Sequence, residues 1–63
     1  MDLIDLMNIM HPKTQYSLFD KENTFIGHGM SGEGIMHDYI YCGVLYARAE
    51  GTDEVFVWLD VSI

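Results

Sequence analysis

The sequence predicts an α+β fold: a short N-terminal helix packed on a small antiparallel sheet of about four strands, made of two hairpins, in one small domain spanning residues 1–63. Three observations lead there. Apolar residues recur at helical spacing only at the start of the chain, two pairs of extended segments flank turn-forming runs further on, and the length suffices for one core only. A domain of this size buries about 60% of the surface its unfolded chain exposes, so its core invites a supplement. The usual supplements are disulfides, a structural metal or oligomerisation.

In the opening segment DLIDLMNIM, Leu3, Ile4, Leu6, Met7 and Met10 fall on one side and Asp2, Asp5 and Asn8 on the other, the pattern of an amphipathic helix. Asp2 stands where a cap belongs, Asp5 complements the positive helix end, and His11-Pro12 supplies a stop. Next, TQYSLF and TFIG flank the turn Asp20-Lys21-Glu22-Asn23, a hairpin with Tyr16 and Leu18 on one face. After a glycine-rich stretch and the segment IMHDY, the segments YCGVLYARA and VFVWLDVSI join across Glu50-Gly51-Thr52-Asp53 as a second hairpin. In the last of these, Val55, Val57, Leu59 and Val61 alternate with Phe56, Trp58, Asp60 and Ser62. A helix covering one face therefore leaves Phe56 and Trp58 on the other, which marks them as an oligomer interface completing the core.

Ten acidic residues against Lys13, Lys21 and Arg48 give a formal charge of -7. Such a chain repels a phosphate backbone and has few cations for counterion release, so direct nucleic-acid binding is not expected, whereas a basic protein is a fitting partner. The lone cysteine, Cys42, excludes an internal disulfide and points to a reducing, cytoplasmic setting. Neither a signal-peptide pattern nor an apolar run of membrane-spanning length is present, so no membrane partner is expected.

Gly27-His28-Gly29-Met30-Ser31-Gly32 matches the G-x-G-x-x-G fingerprint of dinucleotide sites. That fingerprint has meaning only in a parallel βαβ unit, and the chain remaining after Gly32 is claimed by the second hairpin; Glu33 also puts a carboxylate where phosphate should lie. A weaker reading survives, in which exposed backbone N–H groups of the glycine loop form an anion nest. On that reading Gly27 and Gly29 supply amides, Phe25, Tyr39 and Tyr41 stack on a base, and His28, Ser31 and Arg48 hydrogen-bond ribose or phosphate. No paired spacing of metal ligands occurs among His11, His28, His37, Cys42, Glu33 and Asp38, so neither a metal nor another cofactor is expected. Cys42 and His37, the best available nucleophile and base, lack any supporting signature, and the chain reads as non-enzymatic.

The closing pair VLYARAE and VFVWLDV, the Asp-Lys-Glu-Asn hairpin and the short leading helix together resemble the layout of small accessory proteins carried by bacterial phages and prophages. The resemblance covers most of the chain and rests on layout, not on a signature motif. It implies stoichiometric inhibition of host antiviral defence in the bacterial cytoplasm. Two mechanisms fit: the preferred one is a homo-oligomeric sponge that sequesters a nucleotide immune signal, which accounts for the glycine loop and the uncovered apolar face together, and the alternative is an acidic blocker or nucleic-acid mimic of a host nuclease or effector. A structural or assembly role in a virion is the further alternative.

Overall fold

The computed structural model describes residues 1–63. The elements are α1 (Leu3–Ile9), β1 (Gln15–Phe19), β2 (Phe25–Met30), α2 (Gly34–His37), β3 (Val44–Ala49) and β4 (Glu54–Leu59). This is the expected α+β domain, and no helix is long and apolar enough to cross a membrane.

Local chemistry accounts for each boundary. Asp2 occupies the N-cap of α1, and its N–H donates to the Asp5 carboxylate at 3.0 Å. The helix stops at Ile9, and Met10 is already extended just ahead of His11-Pro12. The first hairpin turns on Asp20, whose buried carboxylate accepts N–H groups from Glu22 (2.9 Å) and Thr24 (2.8 Å) and, on its other oxygen, from Ile63 (3.3 Å). Asn23 takes the left-handed conformation the turn needs, φ 68°. In the second hairpin Gly51 does so, φ 86°, and Glu50 N–H bonds the Glu54 carbonyl at 2.7 Å.

The strand order is β2-β1-β4-β3. Both hairpins are antiparallel, but the seam between them, β1 against β4, is parallel, with Gln15 beside Glu54 and Phe19 beside Trp58. The sheet is therefore mixed, not wholly antiparallel as the sequence led us to expect. The cause lies in the connection from Ser31 to Gly43, which crosses the sheet and delivers β3 to the far edge, so that β4 returns in the direction of β1. Alternation of apolar residues is identical in the two pairing senses and carries no sign of this.

The core lies between the helices and one face of the sheet: Leu3 and Leu6 of α1 and Met36 of α2 against Tyr16, Leu18, Val55, Val57 and Leu59. Tyr16 and Leu18 share a face as expected. The Tyr16 hydroxyl is buried there without a hydrogen-bond partner, and burial pushes its pKa up.

Asp20 makes stability pH-dependent. The Thr24 N–H above all, then those of Ile63 and Glu22, hold its carboxyl below the ordinary carboxylate value, outweighing burial, which acts in the opposite sense. A depressed native pKa stabilises the fold fully above the unfolded value, about 4, and that stabilisation drains away as pH falls through the native value. Wild type is expected to lose more of its thermal midpoint between pH 5 and pH 2–3, roughly, than Asp20→Asn does; equal losses would remove Asp20 from the account.

Candidate binding surface

The glycine stretch is a strand. β2 runs through Gly27, His28, Gly29 and Met30, and the chain turns only at Ser31-Gly32, where Gly32 has φ 96° and Glu33 N–H bonds the Met30 carbonyl at 3.1 Å. The expectation that Gly27 and Gly29 belong to an open loop is thus corrected. They stand opposite Leu18 and Tyr16 on the core side of the sheet, where a side chain would meet the connection that returns over them. A Cβ on Gly27 would lie 2.7 Å from Ile35 Cγ1, and one on Gly29 would meet the Glu33 carboxylate. Their job is close approach of chain to strand, and their amides form no concave nest.

These two positions differ in an informative way. Ile35 is half-buried against the core and is blocked near its branch point, whereas Glu33 is exposed and can swing its carboxylate into water. Gly27→Ala is expected to cost about 1–3 kcal/mol, and Gly29→Ala close to nothing, measured by urea unfolding. Equal costs would contradict this packing.

The other expected ligand residues do not converge. Ser31 lines a cavity of about 170 Å³ between α1 and α2, with Ile4, Met7, Met36, His37 and Ile40. Ligand pockets usually offer about 300 Å³ or more, so this one is too small for a nucleotide. Tyr39 is half-buried at the margin of the core, and Tyr41 projects into solvent, 77% exposed. Phe25, His28 and Arg48 lie elsewhere, on the sheet face that no helix covers.

That face is where the structure concentrates its chemistry. Phe25 of β2, Phe19 of β1, Phe56 and Trp58 of β4 and Tyr46 of β3 form one continuous run of rings across the whole sheet. Phe19 stacks on Trp58 at 4.9 Å with planes 16° apart, and meets Phe25 edge-on at 5.7 Å and Phe56 at 5.3 Å. Tyr46 lies 5.4 Å from Trp58. The Arg48 guanidinium sits 5.5 Å from the Trp58 ring and 5.7 Å from Phe56, and its Nε donates to Glu50 at 2.6 Å. The Trp58 indole N–H reaches Asn23 Oδ1 at 2.7 Å and so joins the patch to the first turn. Phe25 and Tyr46 at its two ends are more than half exposed.

Phe56 and Trp58 were legible as the uncovered pair; Phe19 and Tyr46 were missed. The signal was parity: Phe19 alternates with Leu18 as Trp58 does with Val57, and Tyr46 shares its parity with Arg48.

Polar chemistry on the face is slight. His28 Nε2 and Glu54 Oε2 are 3.6 Å apart, both well exposed, an arrangement that contributes little. No group of three or more His, Cys, Asp or Glu side chains is placed to hold a metal ion. Burial, reinforced by the Asp2 carboxylate, pushes the Cys42 thiol up, the opposite of what activates a nucleophile. The protein offers here a flat aromatic surface with one stacked cation and carboxylates at its margins. No protein-family model matches the chain, and no curated protein or solved structure matches it either.

Proposed function

We propose that this is a non-enzymatic binding protein that docks its aromatic sheet face on a basic surface of another protein and acts by occupying it. The observation that carries the reading is the run of rings from Phe25 to Tyr46 with Arg48 laid over its centre. Tryptophan, tyrosine and arginine are the residues most enriched at energetic centres of protein interfaces. Charge selects the partner. Glu50 and Glu54 flank the rings and the whole chain carries -7, so a surface with apolar centre and basic rim is complementary, while a second acidic copy facing the same patch is not. In the setting the phage-protein resemblance implies, the partner is a defence nuclease or effector and the outcome is stoichiometric inhibition.

The test is capture from a bacterial lysate with wild type, Phe25→Ser and Tyr46→Ser side by side, at low and high salt. The reading requires a basic protein whose retention falls in both variants and with salt. An identical capture profile for all three proteins would count decisively against it.

A nucleotide sponge is the second reading, favoured by one observation: Phe25, His28 and Arg48 share the aromatic face, where a base can stack. It no longer draws on the glycines. Thermal unfolding with a panel of cyclic and ADP-ribose-type nucleotides decides, since a ligand at 100 times its Kd adds about 2.7 kcal/mol. An unchanged transition across the panel leaves the blocker alone.

A further inference from the structure

We propose that the outer edge of β3 pairs antiparallel with β3 of a second copy, closing a two-fold dimer centred on Ala47. The inference starts from the backbone of the strand edge and does not require that the aromatic face bind a partner.

Glu50 N–H bonds the Glu54 carbonyl, so by the alternation of an antiparallel ladder the Arg48/Phe56 pair exchanges bonds with β4, while Ala47 and Ala49 direct their N–H and C=O groups away from the sheet. At the start of β3 that outer edge is occupied: Val44 N–H donates to the Met1 carbonyl at 2.8 Å, and Asp2 bridges Gly43. The open window runs from Leu45 to Ala49, with Ala47 at its middle, and every residue in it is exposed. Folded proteins protect such an edge with lysine, proline, inward charges or a covering element. This window has no proline, lysine or acid; its one charge, Arg48, is held over the Phe56 and Trp58 rings and paired with Glu50, away from the edge groups, and its one bulge, between Val44 and Tyr46, lies at the end that the Met1-Asp2 segment already covers.

Self-pairing of identical strands admits few registers, because opposed residues must lie on the same face of the sheet. Placing Ala47 against Ala47 of the second copy uses the whole window and sets each Arg48 opposite the other copy's Tyr46, two symmetric cation–aromatic contacts beside Trp58. Shifting one way brings Arg48 against Arg48, like charges in direct opposition. Shifting the other way drives the second strand into the Met1-Asp2 segment. The favoured register lengthens the sheet around a perpendicular two-fold axis, so both aromatic faces lie on the same side. It also supplies the supplement a core of this size calls for.

The experiment is sedimentation equilibrium on wild type, Ala47→Lys and Ala47→Pro, with circular dichroism to confirm that each is folded and amide exchange read at Ala49. Ala47→Lys opposes two like charges at the axis, and Ala47→Pro deletes an outward N–H at a position where an edge strand tolerates proline. Wild type is expected at twice the chain mass and both variants at the chain mass, with Ala49 exchange slowed in wild type only. A monomeric wild type overturns the proposal, and so does a folded Ala47→Lys that stays dimeric. Phe25→Ser separates this outcome from the docking reading: it leaves the dimer intact whether or not the face binds a partner.

Discussion

Leu18→Ala is expected to remove a large share of the free energy that holds the protein folded. Leu18 has no exposed surface and sits in the middle of the parallel seam, beside Val57 and opposite Gly27. Truncating a buried leucine costs about 2–5 kcal/mol, the transfer term plus the cavity left behind. A chain of this length holds about 3–9 kcal/mol in total, at 0.05–0.15 kcal/mol per residue. Collapse into the cavity is restricted, because the glycine opposite has no side chain to move and the space above it already holds Ile35. With each kcal/mol worth about 4–8 °C in a domain this small, a fall in Tm of about 8–40 °C is expected. A drop of only a few degrees by circular dichroism would show that the seam is not the centre of the core. Ile9→Ala, at a site 70% exposed, serves as the comparison and is expected to change Tm little.

Trp58→Ser is expected to weaken capture of the proposed basic partner by about 30- to 700-fold, the equivalent of losing an interface residue worth about 2–4 kcal/mol. Trp58 is the hub of the patch: Phe19 stacks on it, Tyr46 lies tilted against it, Phe56 meets it edge to face, and Arg48 lies over it. Removing it deprives four neighbours of their wall at once, whereas Phe25→Ser and Tyr46→Ser each remove one end and are expected to cost only several-fold. Because the indole N–H also ties down Asn23, Trp58→Phe separates the two roles: it keeps a ring in the stack and deletes the bond. Titration of the captured partner against the three proteins should rank them wild type, then Trp58→Phe, then Trp58→Ser. If Trp58→Ser binds as wild type does while remaining folded, the aromatic face is not the docking surface.

Much of the architecture was legible because it is local. The spacing of Leu3, Leu6 and Met10 marked α1, the Asp20–Asn23 and Glu50–Asp53 turns marked both hairpins, and the alternation in β4 separated Val55, Val57 and Leu59 from Phe56 and Trp58. What escaped depends on partners distant in the chain. Gly27 to Met30 does not look like a strand, since glycine packs nothing; the strand makes sense only once Ile35 and Glu33 fill the space. α2 is a single turn, too short for periodicity to register. Of the residues expected to bind a ligand, Phe25, His28 and Arg48 share a face because strand register puts them there, while Ser31, Tyr39 and Tyr41 sit on a connection whose path no pattern in the sequence encodes.

The parallel seam also bears on how the molecule folds. Each hairpin closes over a few residues of chain and can form early, but neither has a core of its own. Val57 and Leu18 meet only after the long connection has crossed the sheet, so the contacts that make the fold stable are also those of greatest separation along the chain. Loop closure must be met before burial rewards it, which places the rate-limiting ordering at the β1–β4 contact and makes this chain a slower folder than its size alone implies. Until that contact forms, the aromatic stack does not exist either, because Phe19 belongs to one hairpin and Trp58 to the other.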